Sequence, residues 1–478
     1  MIKSITTFSD IIIYWDLSNC TSEDERYFVY LNGEYVLTTN KTHFTIRDID
    51  KNNVTIEIFT DENKKNCFHR ESFLLTDKPR FIDISRAPYN AVGDGKTINT
   101  SAIQKAIDDC RENDCVYIPK GEFLTGALNL HSNMELYIEN GGTLQGSEEA
   151  SDYLPKIWSR FEGIEMECFS SLINIGNISN RDEICCENII IHGGGKISGG
   201  GKVLADNVIN YEKNSAESFR KRPRLINISC SQNVVIDNIE IANGACWNIH
   251  MLYSDNVVTC NSNFYSYGVS NGDGWDPDSS TNCTLFNCHF NTGDDCVAIK
   301  SGKNPEGSII AKPCEDIRIF DCSCTEGHGF AIGSEMSGGI SNVYIWDCDM
   351  KKSIFGLELK ATKKRGGYVK NIHVSRCRLP RLMMHSVPYN DDGEAAPTVP
   401  EFSDCVFENL TICGEAREWG ETEIKPCAAI ELIGFGEGDE LKNILFKNIT
   451  IDNEYESVEQ CISLQALKNV TISNLSVR

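Results

Sequence analysis

The chain has 478 residues and carries 45 Lys plus Arg against 69 Asp plus Glu, a formal net charge of −24. That balance argues against a nucleic-acid or anionic-membrane binder, so an anionic ligand must meet a local cationic patch. No apolar run is long enough to span a bilayer, and MIKSITTFSDIIIYWD lacks the basic, apolar and small-residue succession of a secretory leader, so a cytoplasmic protein with neither nucleic acid nor membrane as partner is expected.

Residues 1–78 read as a domain of their own. DIIIYWD, RYFVYLNG, EYVLTT, THFTIRDI, NVTIEIFT and RESFLLT are short strands separated by polar turns, the pattern of a small β-sandwich with Trp15 in its core. The pattern resembles a fibronectin type III-like module. Such an appended module is a candidate surface for homo-oligomer formation. Asp77-Lys78-Pro79 makes the junction, and residues 79–478 form the second domain. There, in YNAVGDGKTINTSAIQKAIDDC, Asn99 or Thr100 is placed to cap a helix whose Ala102, Ile103, Ala106, Ile107 and Cys110 share one apolar stripe.

Beyond the helix the chain repeats itself. NVVIDNIEI from Asn233, NCTLFNCHF from Asn282, DIRIFDCSC from Asp316, NVYIWDCDM from Asn342, NIHVSRCRL from Asn371, NILFKNITI from Asn443 and NVTISNLSV from Asn469 share one frame. An Asn or Asp opens it, apolar residues follow at the first and third positions, and apolar or Cys residues return at the sixth and eighth. Two alternating runs joined by a short polar turn are two strands meeting at a corner. The irregular steps between repeats suit a right-handed parallel β-helix with variable loops, in which stacked coils complete a core that none can bury alone. The helix at Thr100 then caps the open first coil. Residues 147 to 224 depart from the frame, and such insertions emerge as loops beside the binding face. Of 22 cysteines, Cys296, Cys322 or Cys324, Cys348 and Cys377 recur about one coil apart and C-x-x-C is absent. They are expected as reduced core thiols, with no metal and no cofactor implied.

Four motifs follow one another at close to one repeat: SNGDGWDPDSS with Asn271 and Asp273, NTGDDCVAIKSG with Asp294 and Asp295, GHG around His328, and GLELK with Glu358 and Lys360. A solenoid stacks them on one wall. Cleavage of a glycosidic bond needs one acid to protonate the leaving oxygen and a second carboxylate acting on the other face of the sugar. Adjacent Asp294 and Asp295 face one groove only if the backbone bends, which Gly293 permits. Taken singly, each Asp reads as an ordinary corner residue.

As an ordered series the motifs resemble glycoside hydrolase family 28, the polygalacturonases, from about Asn90 to the C-terminus. RFEGIE, RPRLINI, GSEMSGG and YNDDGEAAPTVPEF are most similar to its exo-acting branch. The resemblance implies an inverting, metal-independent hydrolase of α-1,4-galacturonan that releases terminal galacturonic acid from pectic oligosaccharides. It implies Asp294 as general acid with a raised pKa, Asp273 and Asp295 as the pair that activates water, and His328 as the residue tuning them; inversion normally sets acid and base roughly 6.5 to 9.5 Å apart. Lys360 then grips a substrate carboxylate and Asn271 is a polar ligand to the cluster. Where many members read Arg-Ile-Lys, this chain reads Glu358-Leu359-Lys360, and a Glu repels the uronate that an Arg fork would hold. The leaving-side sugar is therefore neutral, as in rhamnogalacturonan fragments, or its carboxylate is held by Lys300, Lys303 or the Lys363-Lys364-Arg365 run. Arg222 and Arg224 are further candidates for uronate binding, and Trp247, Trp275 and Tyr389 for stacking on a sugar. Two other classes compete: a calcium-dependent pectate lyase, which shares the architecture, and a noncatalytic pectin-binding β-helix.

Overall fold

The computed structural model describes all residues except 1, 21–24, 76–77, 113, 214, 418–420 and 454–460, so Asp77 of the expected junction lies outside the described residues. The chain divides into two compact units, Met1–Phe81 and Ile82–Arg478.

The first unit is built from antiparallel sheets of three and four strands. Alternation along Ile11–Trp15, Tyr27–Leu31 and Asn53–Phe59 sends Ile11, Ile13, Trp15, Val29, Ile56 and Ile58 into one core. Trp15 meets the edge of Tyr27 at 4.8 Å between ring centroids.

The second unit is a right-handed parallel β-helix with three long sheets of 14, 8 and 11 strands. The repeat frame has a direct structural reason. The Asn or Asp that opens it sits at positive φ, 55° at Asn233, 54° at Asn282 and 57° at Asn342, a conformation those two side chains tolerate best. Their amides also bond from coil to coil, Asn256 to Asn233 at 2.8 Å and Asn233 to Asn188 at 3.0 Å. The cysteine at the sixth position completes a second corner. The thiols of Cys288, Cys322, Cys348 and Cys377 donate to the carbonyls of Phe286, Phe320, Trp346 and Ser375 at 3.3, 3.3, 3.4 and 3.2 Å, each across a residue of positive φ. These four are buried, unbridged thiols.

Helix Thr100–Asp108 forms as expected and turns Ile103, Ala106 and Ile107 onto the core with Val116, Phe123 and Leu128. The cap differs. Asn99 makes no side-chain bond to the helix; its amide is engaged by Val92 and Leu124 instead, and Thr100 Oγ1 accepts from Gly126 N–H at 2.7 Å. Within residues 147–224 the insertions are a hairpin, Ile157–Phe161 with Ile164–Cys168, and helix Gly201–Tyr211. Among the described residues no helix is long and apolar enough to cross a membrane.

The 11-stranded sheet forms the wall on which the motifs stack. Its register runs His250, Asp276, Ala298, Ala331, Glu358, Met383, Glu431 down one column that alternation turns outward. Two residues further along, Asp278, Lys300, Lys360 and His385 lie on the neighbouring outward column.

Candidate active site

The three candidate aspartates and His328 do not sit on the strands. They occupy the turns immediately before strands Trp275–Asp278, Val297–Ile299 and Gly329–Ile332. Main-chain bonds tie these turns together: Gly274 N–H to Asp295 O at 3.0 Å, His328 N–H to Asp294 O at 3.0 Å and Phe355 N–H to His328 O at 2.8 Å. The bend that lets both Asp294 and Asp295 face one side requires Gly293, where a Cβ would come within 2.2 Å of the Val269 carbonyl. A cavity of about 400 Å³ opens over the turns, lined among others by Trp247, Asp273, Asp294, Asp295, Phe355 and Tyr389. Asn271, Lys300, His328 and Lys360 line it too.

His328 Nδ1 lies 3.0 Å from Asp294 Oδ1 and 3.2 Å from Asp295 Oδ1. Burial pulls its pKa down, but these two carboxylates hold it up to about 10, so it is an imidazolium at neutral pH. Asp294, Asp295 and His328 bring ligand-type atoms within 4.8 Å of one another, and a metal there would have to displace the proton that His328 shares with the two carboxylates. The facing oxygens of Asp294 and Asp295 lie within 4.8 Å of each other, nearer than the roughly 6.5 to 9.5 Å normal between an acid and its base.

Lys300 Nζ stands 3.0 Å from Asp273 Oδ2, 3.6 Å from Asp276 Oδ2 and 3.6 Å above the Trp247 ring. One ammonium serves two buried carboxyls, and burial wins at both. Asp273 is pushed up to about 7 by burial against Lys300, with Asp294 and Asp295 adding to the rise, and burial likewise raises Asp276 well above the usual carboxylate range. Asp295 goes the other way. Burial raises it, but Lys360 and His328 together bring it down to about 2. The raised pKa expected of the cluster therefore falls on Asp273 and Asp276, and Asp276 was not singled out although it stands in the same motif.

Several sequence-based expectations are corrected. Arg222 and Arg224 are each 1 % exposed and support the site from beneath. Arg222 donates to Asn271 Oδ1 at 2.8 Å and to Ser270 O at 2.8 Å, with Phe219 3.7 Å from its guanidinium. Arg224 lies beside the Phe161 and Trp247 rings, 5.2 Å from each centroid. Trp275 is core, its indole N–H bonded to Thr259 Oγ1. Trp247 lines the cavity but is covered by Phe161, stacked at 4.7 Å and 7°. Lys303, Lys364 and Arg365 hold the rim: Lys303 reaches Asp392 at 2.7 Å, Lys364 reaches Asp391 O at 2.7 Å, and Arg365 donates to Asn304 Oδ1 and Asn390 O at 2.6 Å each. They position Tyr389, half exposed at the mouth.

The hairpin lies across the wall on the side of the earlier coils. Arg160 donates to Asp278 at 2.7 Å and also bonds Tyr253, Ser159 reaches Asn227 at 3.1 Å, and Lys303 N–H donates to Gly163 O at 2.9 Å. Only glycine fits at 163, since its φ is 78° and a Cβ would meet Lys303 at 2.4 Å. Glu162 from the hairpin turn lines the catalytic cavity, whereas Ile157 and Trp158 line a separate one beyond it.

A carboxylate cluster in a groove on a parallel β-helix defines a carbohydrate-cleaving enzyme. Residues 111–387 match the model of Glycosyl hydrolases family 28, and the chain belongs to that family. It is 32% identical over 305 residues to a probable polygalacturonase of Vitis vinifera, a match spanning 61% of this chain and 59% of that protein. It is 27% identical over 467 residues to an exo-poly-alpha-D-galacturonosidase of Dickeya chrysanthemi, covering 87% and 75%. The family 28 exopolygalacturonase of Yersinia enterocolitica shares the fold with a TM-score of 0.85 at 22% identity, over 99% of this chain and 96% of that one.

Proposed function

We propose that this chain is an exo-acting hydrolase that releases terminal galacturonic acid from galacturonate-ended pectic oligosaccharides with inversion. The observation that carries this reading is the carboxylate cluster facing a groove that hairpin Ile157–Cys168 bars on one side. The likeness to the Dickeya exo-poly-alpha-D-galacturonosidase supports it.

The terminal sugar occupies the blind side, over Trp247 and Asp273, and the remaining chain leaves over Phe355 and Lys360. Asp294, whose side chain is 26 % exposed, protonates the glycosidic oxygen as the bond to the anomeric carbon breaks. Water attacks that carbon from the opposite face and gives its proton to Asp273, whose conjugate acid near 7 makes it a stronger base than Asp295 near 2. His328 donates to the anionic Asp295 and to Asp294, and after turnover Asp273 gives up its proton to solvent while Asp294 takes one back from it. The N-terminal unit is part of the proposal as a fibronectin type III-like module, supported by its two antiparallel sheets around Trp15. A cytoplasmic setting is supported by the unbridged corner thiols and is tested by fractionating the producing cell.

The deciding experiment incubates the protein and Asp294→Asn with oligosaccharides ended by galacturonate and separates the products, following the anomer by proton NMR. Saturated monogalacturonate of inverted configuration is expected, with the variant slower by about 10²- to 10⁴-fold. Mixed oligomer sizes from the first minutes, or a chelator-sensitive unsaturated product, would refute it.

A further inference from the structure

The leaving side of the groove carries a row of alternating charges drawn from three successive coils. Glu358 and Lys360 stand two apart on strand Gly356–Ala361 and so project to the same side. Lys360 Nζ is 3.0 Å from Glu358 Oε2 and 3.5 Å from Asp295 Oδ2. The other Glu358 oxygen accepts from His385 Nε2 at 2.8 Å, and His385 Nδ1 faces Glu431 Oε1 at 3.3 Å. The register makes this possible, because Lys360 pairs with His385 while Glu358 and Glu431 both pair with Met383.

Each charge in the row is held by its neighbours. Burial pulls the His385 pKa down, but Glu358 and Glu431 hold it up to about 9, and Lys360 with His385 brings Glu358 to about 2 in spite of burial. Glu358 is 5 % exposed and stays an anion. Lys360 is thus bound by two carboxylates before any ligand arrives. Among the described residues lining the cavity the other lysine, Lys300, faces Asp273 and Asp276 on the blind side and does not serve the leaving sugar. A carboxylate entering beside Lys360 would meet Glu358 and Asp295 around one cation. An uncharged pyranose meets no such repulsion: Phe355 and Tyr389 offer apolar faces for its C–H side, and Lys360 and Asn390 offer donors to its hydroxyls.

We propose that Glu358, fixed by His385 and Glu431, makes the leaving side of the groove selective for an uncharged sugar, so that the substrate is a terminal uronate joined to a neutral pyranose. This rests on the exo-hydrolase reading above. Glu358 acts through Lys360 and is a positioning residue, with the selectivity arising from exclusion of a like charge.

The test compares two disaccharides that share a terminal galacturonate, one linked to a second galacturonate and one to an uncharged 6-deoxyhexose. Kinetics are measured for the wild type, Glu358→Gln and Glu358→Arg. The wild type should favour the neutral partner by about tenfold or more in kcat/KM, as expected when a like charge is excluded. Glu358→Gln should narrow that ratio and Glu358→Arg should reverse it, chiefly through KM on the dianionic disaccharide. Equal cleavage of both by the wild type, or a ratio that neither variant moves, overturns the inference and leaves the exo-hydrolase reading standing. Release of galacturonate from neither substrate overturns that reading and the inference with it.

Discussion

Asp273 and Asp295 share one cavity yet sit in opposite protonation regimes, and the difference lies in a second cation. Each faces a lysine shared with another carboxylate, Lys300 with Asp276 and Lys360 with Glu358, but Asp295 also has His328. Removing Lys300 takes away the strongest force lowering the Asp273 pKa. Lys300→Met should therefore move the acid limb of the kcat/KM profile to higher pH, and an unmoved limb would show that Asp273 is not the base. For His328 the folded pKa of about 10 lies above the ordinary 6.5. Its stabilising contribution is fully present below about 6.5 and is lost as pH rises through about 10. Thermal melts of His328→Gln should accordingly fall furthest below wild type near pH 6 and converge with it above pH 10. Asp273, Asp294, Asp295 and His328 were legible in the sequence because their turns carry glycines and recur once per coil. Asp276, His385 and Glu431 were not, since each gains meaning only from a partner on another coil. Arg222 and Arg224 were misread for the same reason: the side-chain type suggests a carboxylate ligand, but Phe161 and Phe219 from the insertion cover them.

At the scale of elements, the repeat could be read because each corner demands a particular residue. Asn or Asp supplies positive φ, and Cys two residues after a Phe, Trp or Ser caps that residue's carbonyl. The hairpin could be located only as a departure from the frame, because what holds it down lies far along the chain. Arg160 reaches the distant Asp278 as well as Glu165 on the hairpin's own second strand, with all three side chains buried, and Glu165 in turn accepts from Arg181 at 2.6 Å through both oxygens. Breaking a buried pair from one side leaves an uncompensated charge, a loss of about 3–5 kcal/mol. Arg160→Ala should show a loss of that size by denaturant titration and should admit internal cleavage of longer chains. A loss below about 1 kcal/mol would mean that the hairpin is anchored otherwise.

Across the whole molecule, the β-helix gives a rigid wall on which groups from strand after strand keep fixed spacing, and the acidic surface leaves cations concentrated where they are paired. The barred groove has a kinetic consequence. If the terminal sugar binds between the hairpin and Asp273, the freed monosaccharide lies behind the shortened chain, and its exit path runs through the space that chain occupies. The shortened chain must depart before galacturonate can leave, so free galacturonate competes with substrate for the blind end. Added galacturonate should then inhibit competitively, raising KM and leaving kcat unchanged; a KM that added galacturonate does not move would require a second exit that the hairpin does not provide.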